Sequence, residues 1–245
     1  MNLVVASSRG GGLQPLLPKG TFVSVNPGAG FKVLCERALE LLPSPRSQQG
    51  MTHVYIVGGA CDVTERKQSH RYKEYVLYDS AESVIERMKQ DILSCHSKIS
   101  SHGVLVIFAT IPKFNLETYN NSLLQRNKTT ALYHTEHYQE MQDRINNVLN
   151  EINNFICETN RKHRVSIPFL HTTIMKRRGN KKRAYYIYLW HLLYDGLHAT
   201  DELKTLWAAS LKAAIKKNRA LDDSDEDSHS PKRSWRQEKR PKLRL

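Results

Sequence analysis

Apolar residues along this chain form short, near-continuous runs, separated by longer segments with a helical spacing. The runs are rich in β-branched residues and occur at positions 2–7, 21–25, 53–59, 103–111 and 164–170. Continuous apolar runs of this length are typical of strands that are buried on both faces of a parallel sheet. The pattern therefore predicts five parallel strands.

Between the predicted strands, apolar residues recur every three to four positions, which is the spacing of a helix with one buried face. Such segments lie at 31–42, 81–99, about 136–160 and about 201–218. The third has an apolar face that is predicted to join the core, formed by Tyr138, Met141, Ile145, Val148, Leu149, Ile152 and Phe155. Thr200 is a predicted N-cap of the fourth, with two acidic residues in the first turn.

The alternation of strands and helices predicts an α/β domain with three layers, doubly wound as in flavodoxin, around a five-stranded parallel sheet. Composition changes after Leu221, because residues 222–245 contain almost no apolar side chains. A segment of that composition cannot bury enough apolar surface to fold alone. We therefore expect a folded domain at 1–221 and a disordered tail, first acidic and then basic, at 222–245.

Functional groups of an open parallel sheet collect at the carboxyl ends of its strands. The first predicted strand ends in "ASSRGGGL", the second in the glycine turn "VNPGAGF" and the third in "VGGACDVT". Beyond the fifth comes "DGLH", which places Asp195 three positions before His198. Together these segments supply a serine, backbone N–H donors and an Asp–His pair along one edge of the sheet.

In their order along the chain, these four segments resemble the active-site blocks of the SGNH (GDSL-type) hydrolases. That family has Gly-Asp-Ser after its first strand, a glycine after the second, Gly-x-Asn-Asp after the third and Asp-x-x-His near the C-terminus. The resemblance spans about residues 2–218 and also extends to domains in proteins of some retrotransposons and large DNA viruses. It implies a carboxylic-ester hydrolase of esterase or deacetylase type, acting on a small ester or acetylated substrate without a metal or other cofactor.

The resemblance assigns a role to each matching residue. Ser8 falls at the nucleophile position, His198 at the general base and Asp195 at the carboxylate that orients the imidazole. The oxyanion hole would use the N–H groups of Ser8 and Gly28, with Gly30 as the alternative glycine. Cys61 stands where the family has its oxyanion-hole Asn.

Three departures from the family pattern weaken the implied chemistry. The Asp beside the nucleophile is replaced by Ser7, and glycines 10–12 are poor helix formers where the family begins a helix. A thiol at position 61 is also a weaker donor than an amide, and loss of one oxyanion-hole donor costs about 10²–10³ in turnover. The sequence thus leaves two functions open: a weakened hydrolase, or a catalytically silent SGNH-like domain that binds nucleic acid or a nuclear protein.

The formal net charge of +13 favours contact with nucleic acid or another polyanion. The strongest basic cluster is "KRRGNKKR", between the fifth predicted strand and the Asp–His segment. A loop in that position would overhang the edge of the sheet that carries the candidate site. The predicted nucleic-acid-binding residues are Lys176, Arg177, Arg178, Lys181, Lys182 and Arg183.

The tail ends in two basic clusters separated by a short spacer, which resembles a bipartite nuclear-import signal. The residues predicted to contact an import receptor are Lys232, Arg233, Lys239, Arg240 and Lys242. The N-terminal "MNLVVASS" is too short an apolar run for a signal peptide, and no run approaches the ~18 residues of a membrane span. We therefore expect a soluble protein without membrane contact, with the nucleus favoured over the cytoplasm.

Overall fold

Strands and helices alternate along the chain in the computed structural model, which describes residues 1–42, 53–68, 73–127, 135–180 and 183–229. The strands are β1 (Asn2–Ala6), β2 (Thr21–Val25), β3 (His53–Val57), β4 (Thr64–Gln68), β5 (Lys73–Leu77), β6 (Leu105–Phe108), β7 (Met175–Arg178) and β8 (Tyr185–Tyr188). The helices are α1 (Phe31–Leu41), α2 (Ala60–Val63), α3 (Ala81–Ser100), α4 (Leu116–Asn127), α5 (Thr135–Lys162) and α6 (Asp201–His229).

Four of the five predicted strands form one parallel sheet with the order β2-β1-β3-β6. β1 and β3 lie in its centre and are buried along their whole length, as their unbroken apolar runs predict. The two remaining pairs, β4–β5 and β7–β8, are separate antiparallel hairpins. Because the central strands are parallel, the carboxyl ends of β1, β2 and β3 meet at one edge.

Helices cover both faces of the sheet. Successive side chains of a strand point to opposite faces, so Tyr55 and Ile56 of β3 mark the two sides. The hydroxyl of Tyr55 accepts a hydrogen bond from Asn218 of α6 at 3.1 Å. On the other side, Phe108, the register partner of Ile56, meets Phe31 of α1 edge to face with ring centroids 6.0 Å apart. The predicted three-layer α/β architecture is therefore present.

The predicted fifth strand, 164–170, is not a strand, and the parallel sheet formed by the described residues has four. The side-chain amide of Asn160 on α5 occupies the edge of β6, since it accepts from the N–H of Phe108 at 3.1 Å and donates to its carbonyl at 2.7 Å. Pro168 in the predicted strand has no N–H to donate. Only its carbonyl joins the sheet edge, accepting from the N–H of Thr110 at 3.1 Å.

The crossover from β1 to β2 contains no α-helix. It consists of two 3-10 turns, Ser8–Gly10 and Gln14–Leu16, as the glycines at 10–12 predict. A Cβ at Gly10 would lie 2.2 Å from the Cβ of Ala6, so the turn folds back onto β1 too closely for any other residue. This tight return leaves Ser8 at the carboxyl edge of the sheet.

Helix α6 begins as predicted, because the Thr200 hydroxyl accepts from the N–H of Leu203 at 3.4 Å. Its described part extends to His229, eight residues beyond Leu221, so the first part of the predicted tail continues the helix. Residues 230–245 lie outside the described part of the chain, and with them the whole predicted import signal. Among the described residues, no helix has the length and apolar content of a membrane span.

Candidate active site

Asp195 and His198 form a hydrogen-bonded pair, as the resemblance implies. Nδ1 of His198 lies 2.8 Å from Oδ2 of Asp195. Because a carboxylate only accepts, Nδ1 carries the proton of this bond. The neutral ring then has its lone pair on Nε2, which is the arrangement that a general base requires.

A closed turn fixes this pair. Oδ1 of Asp195 accepts from the N–H groups of Leu197 and His198 at 3.1 and 2.8 Å. Between them, Gly196 has a φ of +87°, which L-residues rarely adopt. A Cβ at Gly196 would lie 2.6 Å from the carbonyl oxygen of Asn115, so the turn packs directly against the start of α4. Glycine is therefore required at the second position of "DGLH".

Arg126 of α4 is a third partner of Asp195 that the sequence did not indicate. Its Nη2 donates to Oδ2 of Asp195 at 2.9 Å, the oxygen that also binds His198. The carboxylate is almost fully buried, whereas about half of the Arg126 side chain is exposed. Asp195 is thus held between a solvent-facing cation and the imidazole.

The pKa of Asp195 lies well below its usual range. Burial acts to raise this pKa, but the hydrogen bonds from the His198 ring, the His198 N–H, Arg126 and the Leu197 N–H lower it by more. The carboxylate therefore stays ionised through the neutral range.

Two tyrosine rings contact the His198 ring. Tyr194 stacks on it with centroids 5.7 Å apart and planes at 20°, and Tyr119 meets it edge to face at 6.0 Å. Burial, followed by neighbouring Tyr75 and Asp195, raises the pKa of Tyr119, so its phenol stays protonated. These contacts restrict rotation of the imidazole out of the cavity.

His198 lines a cavity of about 190 Å³ at the carboxyl edge of the sheet, and Ser8, Gly28 and Cys61 line the same cavity. The structure thus brings together side chains from the ends of β1, β2 and β3 and from the turn before α6. The other lining residues are Pro27, Ala60, Thr64, Tyr75, Phe114, Tyr119 and Leu197. Asp195 lies behind His198, outside the lining.

Gly28, and not the alternative Gly30, lines the cavity. Gly28 has a φ of +76° and open space where its Cβ would be. Gly30 is the N-cap of α1, and a Cβ there would lie 2.2 Å from Asp62. Within the described residues, the N–H groups of Ser8 and Gly28 donate no hydrogen bond, so both donors are available to a ligand.

Asp62, which follows Cys61, stabilises the glycine turn from behind. Its carboxylate accepts from the N–H of Phe31, with oxygens at 3.0 and 3.2 Å, and so caps the N-terminus of α1. Burial raises the pKa of Asp62 to about 6, although the bond from Phe31 acts in the opposite direction. Asp62 of the "VGGACDVT" segment therefore orients the glycine turn "VNPGAGF".

Arg9, next to Ser8, places a buried cation beside the cavity. Its Nη1 donates to the Pro112 carbonyl at 2.8 Å, and its guanidinium lies 5.3 Å from the ring centre of Phe114. Its Nε and Nη2 have no hydrogen-bond partner in the described parts of the chain. Burial lowers the pKa of Arg9 to about 10, while Cys61, Asp195 and Tyr119 partly offset this effect.

The Cys61 thiol stays protonated near neutral pH. Burial raises its pKa, and the nearby Arg9 cation only partly counters that shift. A thiol in this state is a poor nucleophile. Its position in the cavity therefore fits the donor site assigned by the resemblance better than a second nucleophile.

Comparisons with known proteins agree with this architecture at the level of the fold. No family model matches the sequence, and no curated protein matches it significantly. A GDSL-like lipase from Bacteroides thetaiotaomicron superposes with a TM-score of 0.56 at 13% identity, covering 88% of this chain and 87% of that one. The chain has the SGNH hydrolase fold.

Two further solved structures superpose on this chain with similar scores. An acetyl xylan esterase superposes with a TM-score of 0.51 at 12% identity, covering 88% of this chain and 100% of that chain. The C-terminal catalytic domain of a Streptococcus pneumoniae peptidoglycan O-acetyltransferase gives 0.50 at 13% identity, covering 89% and 94%. Identities this low show the common fold and do not transfer an activity.

On this SGNH fold, the predicted basic loop is the β7–β8 hairpin. Lys176, Arg177, Arg178 and Arg183 are all exposed on it, and so are Tyr185 and Tyr186. Lys181 and Lys182 lie outside the described residues, so their positions stay untested. The hairpin is distinct from the cavity that Ser8 and His198 line, since none of its described residues line that cavity.

Proposed function

We propose that this chain is an SGNH-type serine hydrolase that transfers an acyl group from a small ester or acetylated substrate to water. The observation that carries the proposal is the hydrogen-bonded Asp195–His198 pair, of which His198 lines one cavity together with Ser8. Ser8 and Gly28 both line this cavity, and their N–H groups donate no hydrogen bond to the described residues. These are the parts that acyl transfer to serine needs.

In the proposed reaction, His198 takes the proton of the Ser8 hydroxyl as Ser8 attacks the substrate carbonyl. Asp195 orients the imidazole through Nδ1 and stabilises its positive charge. Collapse of the tetrahedral intermediate breaks the ester bond, and His198 gives its proton to the leaving alcohol. Water then attacks the acyl-Ser8 bond by the same route and releases the acid.

The N–H groups of Ser8 and Gly28 are the proposed donors to the oxyanion, with the Cys61 thiol as a weak third donor. The buried Arg9 cation adds positive potential on this side of the cavity. The attraction of this charge for an oxyanion is less directional than an amide hydrogen bond. We therefore expect turnover below that of an enzyme with an Asn in place of Cys61.

The cavity volume supports a short acyl group. At about 190 Å³, it is smaller than the roughly 300–1,000 Å³ of sites for drug-sized ligands. An acetyl ester fits such a space better than a long-chain lipid. Hydrolysis of p-nitrophenyl acetate by the purified chain, compared with a His198→Ala variant, tests the proposal; equal rates in the two folded proteins would refute it.

Replacing Cys61 with Asn is expected to raise ester hydrolysis. The change restores an amide donor where negative charge develops, and one such donor contributes about 10²–10³ in turnover. Because imperfect placement reduces the gain, we expect an increase of about 10-fold or more in kcat, with a smaller change in KM.

Steady-state kinetics of the Cys61→Asn and Cys61→Ala variants separate donation from packing. Cys61→Ala removes the thiol without adding a donor and should not increase kcat. An unchanged kcat in a folded Cys61→Asn variant would show that position 61 does not face the oxyanion.

We also propose a second function, the binding of a polyanion through the β7–β8 hairpin. It is supported by four exposed cations on that hairpin, Lys176, Arg177, Arg178 and Arg183. This function does not need the catalytic cavity and would also operate in a chain with no hydrolytic turnover. Binding should weaken linearly on a log–log salt plot, whereas hydrolysis of a neutral ester should barely respond to salt.

We further propose that the chain acts in the nucleus. The support is the sequence pattern of the basic tail, with Lys232, Arg233, Lys239, Arg240 and Lys242 as the proposed contacts to an import receptor. Nuclear accumulation of a fluorescent fusion, lost on deletion of residues 230–245, is the result expected. Unchanged distribution after the deletion would contradict the assignment.

A further inference from the structure

A second cavity, of about 310 Å³, lies beside the β7–β8 hairpin. It is lined by Lys113, Asn150, His171, Thr172, Met175 and Tyr186. None of these residues is acidic, and none lines the catalytic cavity. Its volume is at the lower end of the roughly 300–1,000 Å³ found for small-ligand sites. We call it the hairpin cavity.

The hairpin cavity contains a buried cation with unused donors. Lys113 is only 8% exposed, and its Nζ donates to the Tyr188 hydroxyl at 2.7 Å. An ammonium has three donors, and no other hydrogen bond of this Nζ occurs among the described residues. Nδ1 of His171 is also buried without a partner in the same part of the structure. The remaining donors of Lys113 can bind an anion.

Strand register shows which side of the hairpin faces this cavity. Met175 pairs with Tyr188, and Arg177 pairs with Tyr186. Paired residues and residues two apart share one face of a hairpin, so these four lie on one side. Met175 and Tyr186 line the cavity, which makes this the cavity side. Arg178 pairs with Tyr185 on the opposite side.

The cavity side therefore combines an exposed aromatic ring with cations. Tyr186 is 60% exposed, so much of its ring is open to a ligand. Arg177, its register partner, is exposed as well. Proteins that bind single-stranded nucleic acid use this combination, with bases stacked on aromatic rings and phosphates held by cations. A duplex keeps its bases stacked inside and offers no free base to such a cavity.

We propose that the hairpin cavity binds one unstacked base of a single-stranded nucleic acid against Tyr186, with the adjacent phosphate beside Lys113 and Arg177. This inference rests on the proposed polyanion-binding function and specifies its ligand. It does not depend on hydrolysis. Phe114, next to Lys113, lines the catalytic cavity, so the bound strand would lie next to the segment that forms one wall of that site.

The test measures fluorescence anisotropy of a labelled oligothymidylate with four single variants. Tyr185 and Tyr186 form a matched pair, because they are 59% and 60% exposed on opposite sides of the same strand. Tyr186→Ala should raise Kd by about 5- to 150-fold, the effect of losing one stacked base. Tyr185→Ala should change it less than twofold. Arg177→Gln should lower the slope of log affinity against log salt concentration by about 0.7. Lys113→Gln should weaken binding without changing the hairpin.

Each outcome separates this inference from the polyanion proposal. If the wild-type chain binds no oligothymidylate, both fail. Binding could be salt-dependent while Tyr185→Ala and Tyr186→Ala weaken it equally or leave it unchanged. In that case the polyanion proposal stands and the cavity assignment fails. Equal affinity for the oligothymidylate and its duplex with oligoadenylate would also overturn the assignment. Circular dichroism confirms that each variant is folded.

Discussion

Ser8→Ala is expected to reduce ester hydrolysis by about 10³-fold or more. Loss of a serine nucleophile in an efficient protease costs about 10⁶ in kcat. We expect the weak donor at Cys61 to lower the starting rate of this chain by about 10²–10³, which leaves about 10³ of that loss measurable. Steady-state hydrolysis of p-nitrophenyl acetate gives the ratio directly.

The neighbouring serine is a matched control for this change. Ser7 is almost completely buried, its N–H donates to the Val57 carbonyl at 2.9 Å, and it does not line the catalytic cavity. Ser7→Ala should therefore keep most of the activity. If Ser7→Ala and Ser8→Ala lost activity equally, the nucleophile would not be Ser8.

Asp195→Asn is expected to reduce kcat by about 10⁴-fold where the starting rate allows, the effect of the same change in a serine-protease triad. Both oxygens of Asp195 accept: Oδ1 accepts from two backbone N–H groups, and Oδ2 accepts from His198 and Arg126. An amide has one accepting oxygen and one donating NH2 group, and the NH2 group at the Oδ2 position cannot accept from His198. The imidazole then loses the bond that keeps its proton on Nδ1. The pH–rate profile and kcat of the variant are the measurements.

Asp201→Asn serves as the control, because its carboxylate is 98% exposed and pairs only with Lys204 among the described residues. It should leave kcat within a factor of about two, as exposed ion pairs contribute little. A similar loss in both variants would indicate a general electrostatic effect. Thermal unfolding of Asp195→Asn must also be measured, since this side chain closes the turn before α6.

The strands of the parallel sheet were predictable because each lies in a near-continuous apolar run. The same criterion missed β4–β5 and β7–β8, whose strands are rich in charged and tyrosine residues and form separate hairpins. It also wrongly predicted a strand at 164–170, where the side chain of Asn160 takes the sheet edge. Periodicity depends only on the positions of apolar residues. It does not indicate that a side chain will occupy the hydrogen-bonding edge in place of a strand.

Part of the candidate site was predictable from the sequence, and part was not. Asp195 and His198 were identifiable because the spacing of "DGLH" is local, and the glycine between them is required by a contact with α4. Arg126 is 69 residues from Asp195 in sequence and looks like any exposed cation of an amphipathic helix. Arg9 looks like a polar loop residue, although the fold buries it. Such partners depend on tertiary packing and have no local signal.

The most direct test of the central claim is covalent labelling with a fluorophosphonate, which reacts with an activated serine. The proposed mechanism predicts one adduct on Ser8, identified by mass spectrometry of the proteolysed chain, and its loss in the His198→Ala variant. A folded wild-type chain with no adduct on Ser8, or with an adduct that persists in His198→Ala, would contradict the assignment of Ser8, His198 and Asp195 as a catalytic unit.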